Sequence, residues 1–168
     1  DFNLVDEFIF SSTGQRVASK DYFVLNRETG EVSEWGESIP LYDKIDNPNL
    51  IRWINQKLTT IHSNDSLMAS VFKMLPILRI YSLENEQLIK ELHMSDASNN
   101  REIILKGQVQ NRKKELINYY YRIKSTDEYI YALNSGFSVL SNYKEDEPPH
   151  LFDFCREIHI WKWDGTPV

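Results

Sequence analysis

Residues 124–133, KSTDEYIYAL, line up without gaps against residues 62–71, HSNDSLMASV. A weaker third copy is Asp6-Glu7-Phe8-Ile9-Phe10. All three fit one pattern: Asp, any residue, a large apolar residue, Ile or Met, and then a further apolar or small residue. The three Asp residues stand 59 and 62 positions apart. Recurrence at a period of about 60 points to architectures that build one supersecondary unit several times and pack each copy on its neighbours.

The order of residues within a copy has a physical reading. Asp or Asn followed by a polar residue favours a tight turn, because the side chain bonds its own backbone two residues along. The block after it is rich in Tyr, Ile, Phe and Val, types that suit a pleated and buried surface. Each copy therefore reads as a turn leading into an inner strand, and a second hairpin follows each. In residues 21–35, Glu28-Thr29-Gly30-Glu31 turns between Phe23-Val24-Leu25 and Val32. In residues 77–92 the turn falls at Glu84-Asn85-Glu86. In residues 156–168, Asp164-Gly165 is the strongest turn dipeptide in the chain. There Ile158 and Ile160 alternate with His159, Trp161 and Trp163, a period of two that specifies a strand.

Two inner and two outer strands per unit make a four-stranded antiparallel blade, and radial repetition of such blades makes a β-propeller. The expected fold is all-β, a single propeller-like domain over residues 1–168 with units at 1–48, 49–108 and 109–168. Ordinary blades take roughly 40–50 residues, so the longer period implies long connections. Residues 36–50 with Pro40 and Asn47-Pro48, the polar residues 95–101, and the acidic residues 141–150 ending in Pro148-Pro149 read as those loops. Gln108 to Ile117, which holds Lys113, Lys114 and Glu115, competes as a helix. It reads as a blade decoration or an irregular outer strand.

Composition narrows the function classes. A chain of 168 residues can bury a core of its own, and 41% hydrophobic with 12% aromatic residues excludes a disordered tail. The net charge of −6, with positive residues scattered apart from Arg112-Lys113-Lys114, argues against nucleic acid as a partner. No apolar run approaches the ~20 residues needed to span a bilayer. The lone Cys155 can form no internal disulfide. The start at Asp1, without a charged leader or apolar signal segment, reads as a mature form.

Each group of residues that could carry chemistry also has a plainer reading. His150, Asp153, Cys155 and His159 fall within ten positions, but their spacing matches no zinc pattern. They read as a strand with mixed faces. Glu145, Asp146 and Glu147 beside two prolines lack the ligand sequence of a calcium loop and read as a solvated loop. Arg112-Lys113-Lys114 reads as a wet face. Trp161, Trp163, Tyr129 and Tyr131 could form a stacking platform for sugar rings, yet aromatic residues chiefly fill the gaps between blades. A strand carrying Tyr119-Tyr120-Tyr121 must turn at least one ring outward. No nucleophile elbow, zinc helix, phosphate loop or Cys-x-x-Cys is present, so no catalytic, cofactor-binding or metal residue is nominated.

The segment containing Thr126, Asp127, Tyr129, Ile130, Tyr131, Leu133 and Gly136 is followed by Ile158, Ile160, Trp163, Asp164, Gly165, Pro167 and Val168. Together they resemble a blade of the TolB-like six-bladed propeller family of bacterial exported proteins. The resemblance is sharp after Tyr119 and implies an exported, periplasmic or cell-surface protein, with a lipid anchor on a preceding segment. It implies a non-catalytic binding or interaction module for a protein, small-molecule or glycan ligand. Six such blades would need on the order of 360 residues, so the chain reads as a partial ring of about three. Two other classes stand beside it. One is a lactonase-like or esterase-like hydrolase with a calcium at the propeller axis; the other is a fragment that self-assembles, for instance as a homodimer, through exposed sheet edges.

Overall fold

Turn chemistry divides the chain into hairpins. The computed structural model describes residues 2–5, 8–11, 19–94, 98–138 and 157–168, and within them the strands form three antiparallel sheets. The first sheet holds β1 (Phe2–Val5), β2 (Phe8–Ser11), β3 (Lys20–Asn26) and β4 (Val32–Ser38). The second holds β5 (Lys57–Ile61), β6 (Leu67–Phe72), β7 (Ile77–Ser82) and β8 (Gln87–His93). The third holds β9 (Ile117–Ser125), β10 (Tyr129–Ser138) and β11 (Glu157–Lys162). Every sheet is a meander in which each strand pairs with the next in sequence. Phe8, Leu67 and Tyr129, each two places after the Asp of the recurring pattern, open β2, β6 and β10. Asp65 and Asp127 lie in the turns just before; Asp6 lies outside the described residues.

Side chains close the turns as their types allow. The Asn26 side-chain oxygen accepts from the amides of Glu28 and Thr29, both at 2.9 Å, and sets Leu25 opposite Val32. The Thr126 hydroxyl accepts from the amide of Tyr129 at 3.1 Å, and the Asp164 carboxylate from that of Thr166 at 2.8 Å. Gly165 is needed twice over. Its φ is +84°, and a Cβ there would come within 2.8 Å of Lys90 Cγ on β8.

The second sheet is enclosed on both faces, which is why β6 and β7 read as nearly unbroken apolar runs. Residues of one parity, Ala69, Val71, Leu78 and Ile80, meet Tyr119, Tyr120, Ile130, Ala132 and Trp161 of the third sheet. Met68 and Tyr81, of the other parity, meet Tyr22 and Val24 of the first. Trp161 and Trp163 are only 4% and 8% exposed, and Ile158 is 59% exposed, so the Trp face of β11 is the inner one. The neighbouring turns also touch. His62 Nε2 lies 3.0 Å from the Asp127 carbonyl oxygen, the Ser63 hydroxyl donates to the Asp127 carboxylate, and the His62 ring packs edge-on to Trp163 at 5.0 Å.

Two helices occupy the connections between sheets, at the end opposite those turns. α1 (Pro48–Ile54) starts from Asn47, whose side chain accepts from the amide of Asn49 at 3.0 Å, with Pro48 in the first turn. α2 (Ser98–Leu105) stops at Gly107, with φ +65° and its amide bonded to the Ile104 carbonyl. Both cap the end of the second sheet, where Ile51, Ile54 and Ile104 join Phe72, Leu75 and Ile77 in one cluster. Asn100 is fully buried. Its Nδ2 donates to the carbonyls of Met74 at 2.8 Å and Ile117 at 2.7 Å, and its Oδ1 accepts from the Ile117 amide at 2.8 Å. Among the described residues no helix is long and apolar enough to cross a membrane.

The loop expectation is corrected. Residues 36–50 and 98–101 are not simple loops: the first stretch includes the end of β4, a 3-10 turn at Tyr42–Lys44 and the start of α1, and the second belongs to α2; residues 95–97 lie outside the described residues. Over Gln108 to Ile117 the competing helix does not form, as the preferred reading of a blade decoration or irregular strand expects. Gly107 has already ended α2, so the good helix formers there make turns and a 3-10 turn at Lys113–Glu115 before β9 begins. Among the described residues the third sheet has three strands, and residues 163–168 return as far as an isolated bridge between Trp161 and Pro167.

Candidate functional site

The face between the first and second sheets carries ionised groups that an apolar core would exclude. Asp21, second residue of β3, is fully buried. Its carboxylate meets Lys57 Nζ of β5 at 3.0 Å and Arg79 Nη1 of β7 at 2.7 Å, and it accepts from the Tyr81 hydroxyl. Lys57 also donates to the Asp21 carbonyl and to Asn55 Oδ1, each at 2.6 Å. Its ammonium lies 4.4 Å and 4.9 Å from the ring centres of Tyr22 and Phe72. Gly36 of β4, at φ +89°, makes room: a Cβ there would stand 3.1 Å from Asp21 Cβ and 3.4 Å from the Tyr81 hydroxyl.

Burial decides the protonation of these groups. Desolvation pushes the Lys57 ammonium down to about 8, against the attraction of Asp21. Desolvation and then the nearby Asp21 charge push the Tyr22 and Tyr81 hydroxyls well above the ordinary tyrosine range. Both stay protonated. The Tyr22 hydroxyl lies 2.9 Å from Thr59 Oγ1 and also bonds the Ser70 hydroxyl, so the polar seam continues along β5 and β6.

The seam reaches the surface through Arg79. Its Nε donates to Glu91 Oε2 at 2.6 Å, Nη1 donates also to the Ser38 carbonyl at 3.0 Å, and Glu91 Oε1 lies 2.6 Å from His93 Nε2. Burial alone would raise the Glu91 pKa; the charge and hydrogen bond of Arg79, joined by His93, more than offset this and hold it below the usual carboxylate range. Arg79, Glu91 and His93 then line a pocket of about 320 Å³ together with Arg101 of α2, facing an apolar wall that includes Leu41, Leu75 and Ile77.

A larger groove, about 750 Å³, opens at the same end between α1, α2 and the residues leading to β9. Leu50, Trp53, Ile104, Val109 and Leu116 give it an apolar lining, and Lys44, Asp46 and Lys113 supply charge beside it. Apolar lining with a few polar groups is the usual build of a ligand site.

The candidate residues of the sequence fall in different surroundings. Trp161 and Trp163 are core; Tyr129 and Tyr131 are half-buried and pack edge-on to each other at 6.2 Å. Tyr119 and Tyr120 are buried and Tyr121 is the more exposed of the three. Arg112 pairs with Glu115 at 2.5 Å, while Lys113 lines the larger groove. His159 Nδ1 lies 3.1 Å from the Tyr120 hydroxyl and its Nε2 lies 3.2 Å from Glu157. Its companions His150, Asp153 and Cys155 lie outside the described residues, as do Glu145, Asp146 and Glu147. Among the described residues no three His, Cys, Asp or Glu side chains gather as metal ligands would. Asp21, Lys57 and Arg79 were missed, although a charge inside the run Ile77-Leu78-Arg79-Ile80-Tyr81 was a signal that something must face it. No family model matches the chain, and no characterised protein matches it in sequence.

Proposed function

We propose that the chain is a non-catalytic binding module of propeller-like build, which takes a small molecule or protein segment with an apolar face at the end carrying α1 and α2. Three meander sheets in succession, equivalent turns side by side at one end and connections at the other are what radially repeated blades would produce, and they support the architectural half of the reading. The observation that carries the functional half is the groove of about 750 Å³ between the helices, where Leu50, Trp53 and Val109 are only partly buried. Recognition at one end of a rigid sheet scaffold, by the segments that connect its strands, is how such folds ordinarily bind.

A fragment screen read by amide proton–nitrogen spectra tests it. Hits are expected to shift residues of α1, α2 and 107–116 together, and Leu50→Glu, which puts a carboxylate against the groove wall, is expected to weaken them at least tenfold. Hits that leave these residues unmoved, or that bind the Leu50→Glu protein as well, overturn the reading.

A further inference from the structure

The smaller pocket is a separate site, and its chemistry does not depend on the groove. Arg79 carries it. The Arg79 side chain is 93% enclosed, being 7% exposed, and it is fixed from behind: Nε is held by Glu91, and Nη1 by Asp21 and the Ser38 carbonyl. Those bonds leave Nη2 without an acceptor among the described residues, on a guanidinium that lines an open pocket. A guanidinium held on two edges loses little freedom when its remaining N–H groups take an acceptor. Arg101 of α2 lines the same pocket; it is exposed and pairs with no carboxylate among the described residues.

Charge and shape then select the ligand class. The seam and pocket together place three cations, Lys57, Arg79 and Arg101, against two carboxylates, Asp21 and Glu91. Counting these five groups, one positive charge is in excess. That suits a monoanion, and a dianion would be opposed by Glu91 on the pocket wall. Leu41, Leu75, Pro76 and Ile77 supply an aliphatic surface without aromatic rings, fit for a branched hydrocarbon body. We infer that this pocket binds a small aliphatic carboxylate, its oxygens between Arg79 Nη2 and Arg101 and its chain against Leu41, Leu75 and Ile77. The same chemistry is offered by a free branched-chain acid and by the C-terminal leucine of a peptide. A carboxylate against arginine donors makes charge-assisted bonds, about twice as strong as neutral ones.

The test uses 4-methylpentanoate, N-acetyl-leucine, their neutral amides and inorganic phosphate, titrated against the whole chain. Binding is followed by calorimetry and by the side-chain nitrogen resonances of Arg79. At least one acid is expected to bind ten or more times tighter than its amide, to shift the Arg79 signals, and to weaken at least tenfold in the Arg101→Gln protein, which changes only an exposed helix position. Tighter binding of N-acetyl-leucine identifies a peptide terminus as the source, and tighter binding of 4-methylpentanoate a free acid; either order supports the site. Acid and amide binding alike, phosphate binding tighter than both acids, an unmoved Arg79 signal or an unaffected Arg101→Gln protein overturns it. Because the groove residues report separately, failure here leaves the helix groove untouched, and the converse also holds.

Discussion

The two faces of the second sheet solve the same burial problem with different chemistry. Toward the third sheet, Ala69, Val71, Leu78 and Ile80 pack on tyrosine and tryptophan rings. Toward the first sheet, Ser70 and Arg79, neighbours of those residues in the same strands, join Asp21, Lys57 and Tyr22. The apolar face gains on the order of 1.5–3 kcal/mol for each large side chain removed from water, whatever its exact partner. The charged face gains little net, since desolvation of each ion offsets most of the attraction, but it fails badly when one member is lost. An apolar contact tolerates a small shift; Asp21 must meet Lys57, Arg79 and Tyr81 together, so this face fixes the placement of the first sheet more strictly.

That contrast can be broken at its strongest point first. Asp21→Ala leaves Lys57 and Arg79 buried without their shared carboxylate and is expected to cost about 3–5 kcal/mol in urea unfolding. Adding Lys57→Met should recover a substantial part of that loss. A double variant as unstable as the single one would show that the face depends on packing and not on charge.

On the opposite face Ile80→Ala is expected to cost about 3 kcal/mol through lost burial and the cavity left behind. The same measurement in high salt should give the same difference. A salt-dependent value would mean that the two faces are not energetically separate.

The smallest effect is one of pH. Lys57 is held at about 8 in the folded chain against an ordinary value of 10.5, so between those limits the unfolded chain binds more protons and stability rises with pH. The raised hydroxyls of Tyr22 and Tyr81 act the other way above about 10, where unfolded tyrosine ionises. Stability should therefore climb by about 2 kcal/mol from pH 8 toward 10 and fall beyond it, at 1.4 kcal/mol for each pH unit per proton. In Lys57→Met the climb should vanish, and a climb that persists would assign it to another group.

Much of the strand framework could be read from the chain alone, because its signals are local. Glu28-Thr29-Gly30-Glu31 and Glu84-Asn85-Glu86 fall between strands that pair, and Asp164-Gly165 turns the chain back to the isolated bridge between Trp161 and Pro167. The period of two in residues 158–163 was equally plain, although period alone does not say which face is inward. The helices were obscured because α1 is short and its start signal, Asn47-Pro48, is also a loop signal. The helix-forming residues at 113–115 form a single 3-10 turn, because propensity alone does not sustain a longer helix there. The charged seam stayed hidden for a different reason: Asp21, Lys57 and Arg79 are 36, 58 and 22 positions apart in their pairs, and only tertiary contact unites them. The groove and the small pocket are likewise assembled from connections whose geometry no local pattern records.

Asn100 gives α2 a property that its outward face would not suggest. One amide group grips the carbonyl before Leu75 and both backbone groups of Ile117, so the helix is pinned at a single point to two sheets at once. Arg101 is the very next residue. A guanidinium on a solvent-facing helix would ordinarily swing, but here its stem is mounted on an anchored pivot, and the height of its base above the floor of the pocket is inherited from its neighbour.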